Sequence, residues 1–219
     1  MFRVLTVARE YGSGGGAIAE KIARELGWEL LDRKLIEAIA QTADVDTELA
    51  RRYDERVDSW FHRINRGGLE NVAIEAGAPP AQAMFFDAER MSAFAKKVIA
   101  DAAARGRCVI VGRGGQCVLE NCPEALHVFV YAPWGERVVR AQNRVASQRD
   151  IEDVIRLTDE ARARHIRRYF GRDWKDPQLY HLMINSQLGD EEVARTIIQV
   201  IQRSGGVRSP AVSSAPAFQ

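Results

Sequence analysis

Cysteine is scarce in this 219-residue chain: Cys108, Cys117 and Cys122 form an odd set with no C-x-x-C spacing. That pattern argues against a disulfide framework and against a thiolate zinc site. Cys108 falls within an apolar run and reads as a buried core residue. Long hydrophobic runs are missing as well. None approaches the roughly 20 residues of a membrane span, so no membrane partner is expected. Met1-Phe2-Arg3-Val4 passes directly into a strand pattern, which leaves no room for a secretory leader, and the cytoplasm is the expected location. Excess charge is absent too. A formal net charge of +1 is too small for a general polyanion binder. The aromatics do not interleave with the basic residues as a base-stacking surface requires, so no specific nucleic-acid partner is expected. His62, His127, His165 and His181 show no metal-ligand spacing, and no Ser/His/Asp or Cys/His arrangement is present. No metal-ligating residue is assigned.

What the chain does have is glycine concentrated at one point. The apolar run Arg3-Val4-Leu5-Thr6-Val7-Ala8 leads to Gly12-Ser13-Gly14-Gly15-Gly16, and Ala17-Ile18-Ala19-Glu20-Lys21-Ile22-Ala23 follows with apolar residues at helical spacing. Strand, glycine loop and helix turn several backbone N–H groups and a helix N-terminus toward one place, which attracts phosphate.

Five continuously apolar runs read as strands covered on both faces, the mark of a parallel sheet. They are Val4–Ala8, Trp28–Leu31, Cys108–Val111, His127–Tyr131 and His181–Ile184. Helical patterns separate them over Ala17–Leu26, Ala88–Arg105, Arg137–Arg149, Ile151–Tyr169 and Asp190–Gln202. Such alternation predicts a doubly wound α/β sheet. Residues 33–84 show no strand signal: Lys34–Ala43 and Val45–Phe61 read as helices, with turns at Gly67-Gly68 and over 76–80. The segment is expected to be a helical insertion covering the ligand end of the sheet. Residues 204–219, with Gly205-Gly206 and two X-Pro pairs, carry too little apolar content to fold and are expected to be a disordered tail.

The glycine loop admits three readings. As a P-loop, it has Gly12, Ser13, Gly14 and Gly16 in place, but the lysine slot falls on Gly15 and the hydroxyl slot on Ala17. As a dinucleotide fingerprint, Gly12 to Ala17 fits G-x-G-x-x-A, and Asp32 stands about 20 residues on to hold a ribose. Arg9-Glu10-Tyr11 lengthen the loop beyond that fingerprint, and the arginines described next are superfluous to hydride transfer. A structural turn without a ligand is the third.

Near-neutrality conceals a basic region: from Arg137 to Lys175 there are eleven Lys/Arg residues against six acids. Arg164, Arg167 and Arg168, with Arg172 beyond, cluster at helical spacing around His165 and Tyr169. Arginines on one such segment can close over a nucleotide and neutralise a transferring phosphoryl group. The alternative is a solvated face with partners such as Glu160–Arg164. Arg113 ends the buried run Cys108-Val109-Ile110-Val111-Gly112-Arg113-Gly114, at the strand edge where open α/β sheets bind ligands, and can grip phosphate bidentately. A turn arginine salt-bridged to a nearby acid is the other reading. Asp32 and Arg33 end the second strand at the same edge. There Asp32 can accept from a sugar hydroxyl or base amine, or cap the following helix.

Five stretches in this order resemble the cytidylate kinase-like family, a branch of the P-loop nucleoside monophosphate kinases. They are Ala8-Arg9-Glu10-Tyr11-Gly12-Ser13-Gly14-Gly15, Leu31-Asp32-Arg33-Lys34-Leu35-Ile36, Tyr53-Asp54-Glu55-Arg56, Val109-Ile110-Val111-Gly112-Arg113-Gly114 and the run from Asp176 to Ser186. A loop of this style without lysine is itself a trait of that family, although family members commonly carry arginine and glutamate where this chain has Gly16 and Ala17. The resemblance implies a P-loop NTPase-like, five-stranded α/β domain over residues 1–203, with the 33–84 insertion and a lid around 150–175. It implies ATP-dependent phosphorylation of a nucleoside monophosphate, nominally CMP or dCMP, with Mg2+ as cofactor. By the same resemblance, Gly12 to Gly16 would hold the ATP phosphates, and Asp32, Arg33 and Arg113 the acceptor nucleotide; Arg9 or a lid arginine would stand in for the missing loop cation at the ATP phosphates. Arg164, Arg167, Arg168 and Arg172 would supply the lid charges. With Gly15 and Ala17 in the loop, a nucleotide-binding protein of weak or absent activity is the second expectation.

Overall fold

The computed structural model describes residues 1–32, 81–142 and 148–204, with side chains described for 1–32, 92–142 and 151–204. Its centre is β1 (Val4–Arg9), the middle strand of a five-stranded sheet in the order β2-β3-β1-β4-β5. The others are β2 (Glu29–Leu31), β3 (Cys108–Val111), β4 (Ala125–Tyr131) and β5 (Leu182–Asn185). Every pairing is parallel. Val7 lies opposite Val111 of β3 and Val128 of β4, so the carboxyl ends of these strands open on one edge.

Strand alternation distributes the core. Leu5 and Val7 of β1 join Val109, Val111, Leu126, Val128 and Val130 on one face of the sheet. That face is covered by α1 (Gly15–Leu26) through Ile18 and Ile22, and by α6 (Asp190–Arg203) through Val193, Ile197 and Ile201. Val4, Cys108, Ile110 and Ala125 face the other way, against Ala95, Val98, Ile99 and Ala102 of α2 (Ala81–Arg105). Toward the carboxyl edge of that second face, Ala8 and Phe129 pack on Ile166, Trp174, Leu179 and Tyr180. With both faces covered, these strands are apolar without interruption. Burying one such large aliphatic side chain contributes about 1.5–3 kcal/mol.

The chain leaves β1 onto one face through α1, and leaves β3 onto the other through the short helix α3 (Gly115–Val118), where Leu119 joins the second core cluster. A crevice therefore opens between the ends of β1 and β3, the topological switch point at which open α/β sheets bind ligands. Beyond β4, α4 (Trp134–Gln142) and α5 (Gln148–Phe170) pack on each other, with Ala141 against Ile151 and Ile155.

Several expected boundaries move. α1 begins at Gly15 rather than Ala17, because a helix N-terminus needs no side chain to pack. α2 reaches back to Ala81, so the end of the expected 33–84 insertion belongs to a sheet-covering helix. Residues 33–80, including Arg33 and the expected helices Lys34–Ala43 and Val45–Phe61, lie outside the described residues. α4 covers Trp134–Gln142 rather than starting at Arg137, and residues 143–147 are again outside the description. The turn after Arg113 contains α3, four residues too short to show a period. Ser204 belongs to the folded body: its Oγ accepts from the Phe2 amide at 2.9 Å and donates to the Ile201 carbonyl at 2.7 Å. Residues 205–219 lie outside the description.

Away from the sheet's ligand edge, buried His127 pairs with exposed His181. His127 Nε2 lies 3.2 Å from the Leu119 carbonyl, which can only accept, so Nε2 carries the proton and Nδ1 accepts from Thr6 Oγ1 at 2.8 Å. The ring stacks on His181 at 5.0 Å, and the His127 amide donates to His181 Nδ1 at 2.9 Å. Burial, aided by His181, lowers the His127 pKa to about 4. A histidine held neutral in the fold costs stability once the unfolded chain can protonate it. Stability is therefore complete above the unfolded pKa near 6.5 and declines as pH falls from there toward 4, by at most about 1.4 kcal/mol per pH unit for this group. Urea unfolding between pH 7.5 and 4.5 is expected to show that decline, with a shallower pH slope in His127→Gln.

Candidate functional site

The loop between β1 and α1 runs from Glu10 to Gly14, with Gly14 as the N-cap of α1. The Ser13 side chain is fully buried; its Oγ donates to the Glu10 carbonyl at 2.8 Å and accepts from the Gly15 amide at 3.4 Å. The first intrahelical bond is Ile18 N–H to Gly14 O, at 3.0 Å. Helix geometry thus leaves the Gly16 and Ala17 amides without an intrahelical acceptor, at a terminus carrying partial positive charge. Both residues are exposed, and a Cβ on Gly16 would meet nothing within 4 Å. Gly12 differs: its φ is +78°, and a Cβ would lie 2.6 Å from the Arg137 carbonyl oxygen. Glycine is required there for both conformation and space.

A buried ionic cluster holds the loop from below. Arg137 of α4 donates through Nε to the Tyr11 carbonyl at 2.7 Å, pairs with Glu10 at 3.3 Å and bonds Asp159 of α5. Asp159 Oδ1 accepts from the Tyr11 amide at 2.8 Å, and Glu10 also pairs with Lys175 at 2.6 Å. Arg162, one turn along α5, donates to the Arg9 carbonyl at 2.7 Å and lies 3.4 Å from Asp159. Burial pushes the Asp159 carboxyl above its ordinary pKa, opposed by the Tyr11 amide and then by Arg137 and Arg162. On the loop's other flank Arg140 bonds the Ser13 carbonyl at 3.3 Å, Asp190 at 2.7 Å and the Ser186 carbonyl at 3.4 Å.

Across the crevice, Gly112, Arg113 and Gly114 take φ values of +75°, +57° and +71°. Arg113 is a non-glycine residue in left-handed backbone, a conformation that concentrates at functional sites. The Arg9 guanidinium lies against Gly112, and the Phe170 ring against Gly114, each occupying the space a Cβ would need. Lys96 Nζ sits 4.7 Å over the Phe170 ring and donates to the Tyr169 carbonyl at 3.4 Å. His165 of α5 is held neutral, its pKa lowered to about 4 by burial and then by Arg113 and Lys96. Arg113, Lys96 and His165 thus sit within electrostatic reach of one another beneath α5.

Arg9, Gly12, Ser13, Gly14, Gly15, Gly16 and Arg113 are therefore gathered around the β1–β3 crevice. Asp32 follows β2, which β3 separates from β1, so it lies further along the same edge; Arg33 is outside the described residues. The expected lid arginines are arranged differently. Arg164 is exposed and 4.0 Å from Glu160, and it lies two residues from Arg162, hence on the opposite helix face. Arg167 is exposed; Arg168 is exposed and 5.6 Å from the Tyr169 ring centre; Arg172 pairs with Glu120 at 2.9 Å. Arg162 of α5 bonds the Arg9 carbonyl, at the point where β1 enters the loop. Sequence reasoning passed over Glu10, Arg137, Arg140, Asp159, Arg162, Lys175 and Lys96. Their only signals were an acid inside the glycine loop and an Asp-x-x-Arg pair inside a basic helix.

The donor chemistry does not make a magnesium site of the protein alone. Among the described residues no three His, Cys, Asp or Glu side chains converge to hold a metal. Ser13 Oγ is engaged within the loop, and Glu10, Asp159 and Asp190 are each ion-paired. A divalent cation here would take its ligands from nucleotide phosphates and water. Also among the described residues, no helix is long and apolar enough to cross a membrane.

Comparison with solved structures shows the same fold elsewhere. An uncharacterized protein from Eubacterium ventriosum ATCC 27560 superposes with a TM-score of 0.64 at 17% identity, covering 92% of this chain and 99% of its own. Shikimate kinase from Bacteroides thetaiotaomicron does so at 0.51 and 11% identity, covering 91% and 98%. At the level of sequence, the cytidylate kinase of Pseudomonas entomophila (strain L48) is 29% identical over 188 residues, 74% of this chain and 78% of that protein. The cytidylate kinase of Pseudomonas putida KT2440 is 29% identical over 185 residues, covering 75% and 79%. The profile of one family, described as cytidylate kinase-like, matches residues 4–188. With its glycine loop, parallel sheet and switch-point crevice all inside that span, the chain belongs to the cytidylate kinase-like family.

Proposed function

We propose that this protein transfers the γ-phosphoryl group of ATP to a nucleoside monophosphate, with CMP or dCMP as acceptor. The observation that supports this most directly is the meeting of two phosphate-binding devices across one crevice. On one side are the open amides at the N-terminus of α1; on the other is Arg113 in left-handed backbone, with Arg9 beside Gly112.

Phosphoryl transfer demands positioning and charge neutralisation rather than covalent help from the protein. The loop amides of Gly12 to Gly16, with Arg9 at their edge, take the donor phosphates. Arg113 takes the acceptor phosphate, and Asp32, which follows β2, contacts the acceptor's sugar or base; Arg33, outside the described residues, is assigned to the acceptor as well. Arg162 carries positive charge from α5 to the loop, the part the sequence assigned to Arg164, Arg167, Arg168 and Arg172; those four supply outer lid charge in this reading. Mg2+ brought by the nucleotide would supply further neutralisation of phosphate charge, with ligands from the nucleotide and water. The buried pairs Glu10–Arg137 and Arg137–Asp159 are positioning contacts, which hold the amides at a fixed spacing before any ligand arrives.

A second reading, nucleotide binding without turnover, is favoured by Gly15 and Ala17, which leave the loop without lysine or hydroxyl at the usual places. One experiment separates the two. With ATP, Mg2+ and a panel of nucleoside monophosphates, ADP release is expected and is expected to be fastest with CMP or dCMP. ATP binding with no ADP from any acceptor removes the enzyme reading.

Two variants probe the site. Arg113→Ala is expected to raise the KM for the monophosphate about 10- to 100-fold, as for a lost charge-assisted hydrogen bond, and to leave the KM for ATP nearly unchanged; equal effects on both contradict the assignment. Asp159→Asn frees the Tyr11 amide and Arg137 from their anchor. Steady-state kinetics is expected to show a fall in kcat of up to about 10²-fold, the scale for a misplacement near 1 Å, with helix content unchanged by circular dichroism.

A further inference from the structure

We infer that Arg9 is the donor-phosphate cation of this site, and that Gly15, in the lysine slot of the loop, is glycine because Arg9 occupies its space. The inference rests on the reading of the crevice as an ATP site. It concerns which residue supplies the charge there.

Strand alternation sets the geometry. Leu5 and Val7 point toward α1, and Arg9 is the next residue of that row, directly beneath the first turn of α1. A Cβ on Gly15 would lie 2.6 Å from Arg9 Cβ and 3.1 Å from Arg9 Cγ. No pair of real side chains tolerates that separation. The two positions exclude one another: either the helix residue carries a long cation and the strand residue is minimal, or the strand residue carries it and the helix residue is glycine. This chain has the second arrangement. Its consequence is directional. From under α1 the Arg9 side chain runs to Gly112, where the missing Cβ leaves room for its guanidinium. Its stem therefore lies against the first residue of α1 and its guanidinium against Gly112, the residue before Arg113. There it can neutralise charge on both sides of the transfer, whereas a lysine on α1 would serve the donor alone. The backbone at this point is held, since Arg162 bonds the Arg9 carbonyl at 2.7 Å.

During transfer an acceptor phosphate oxygen bonds to the γ-phosphorus as the bond to the β,γ-bridging oxygen breaks, and ADP leaves with that electron pair. Arg9 exchanges no proton in this step; it supplies charge and up to two N–H donors to phosphate oxygens.

The test measures affinity for ATP and for adenosine by calorimetry, alongside kcat, in the full chain. Arg9→Met keeps the side-chain stem against Gly15 and deletes the charge. It is expected to weaken ATP about tenfold or more while leaving adenosine unchanged, and to lower kcat about 10²- to 10³-fold, the scale for one lost donor to developing charge. Arg9→Lys is expected to retain most ATP affinity. Gly15→Lys alone is expected to weaken ATP, and the exchange Arg9→Gly with Gly15→Lys to bind ATP about tenfold better than Arg9→Gly. ATP affinity of Arg9→Met within about twofold of the parent overturns the inference. So does an exchange variant with native circular dichroism that binds ATP no better than Arg9→Gly. If the parent binds ATP and makes no ADP with any monophosphate, the phosphoryl-transfer reading fails; the ratio of ATP to adenosine affinity still decides the place of Arg9.

Discussion

The contact on which the rest of the site depends is the buried guanidinium of Arg137. It is satisfied by Glu10, the Tyr11 carbonyl and Asp159, which belong to the glycine loop and to α5, while Arg137 itself belongs to α4. A charge taken out of water is tolerated only when its partners are all present, and removing one is far more costly than the net worth of the pair. These segments therefore hold one another in place. The loop cannot relax away from α4 without stranding Arg137, and α5 cannot swing off without stranding both Arg137 and the Tyr11 amide. Such a cluster adds little net stability for its size. What it does supply is a fixed relation between the amides of the loop and the helix that crosses above them.

From that relation the electrostatics of the crevice follow. The N-terminus of α1 is positive through its backbone, and Arg9, Arg113, Lys96 and Arg162 surround it or reach the same edge. His165 and His127 stay neutral for different reasons. The first is pressed by neighbouring cations as well as by burial, the second by burial beside another histidine. Carboxylates interleave with the cations of this region: Glu10 and Asp159 each pair with two, and Glu160, Asp190 and Glu120 with one each.

The packing of Arg9 under Gly15 leaves no room for a side chain at the lysine position of the loop. The loop departs further at Gly16 and Ala17. Gly16 faces open space, so nothing in the packing forbids a larger residue there. The missing side chain at Gly16 follows from no steric demand of the fold.

The sequence by itself determined the parallel sheet, all five of its strands to within two residues, the helix after the glycine loop, and the edge at which Arg113 lies. These are carried by local pattern: continuous apolar runs for doubly covered strands, 3.6-residue spacing for helices, and glycine where backbone approaches backbone. Short elements escaped, since α3 and the 3-10 turns at Pro177–Leu179 and Ser186–Leu188 are below the length at which a period exists. Only the tertiary structure decided which charges matter. Glu10, Arg137 and Asp159 are separated by more than a hundred residues of chain or by whole helices, and a sequence does not show which distant charges share a buried volume. Likewise the arginines over 164–172 stand out in the sequence by their density, whereas the bond from Arg162 to the Arg9 carbonyl shows only in the structure, because the direction of a helical side chain depends on which face of the helix meets the rest of the protein.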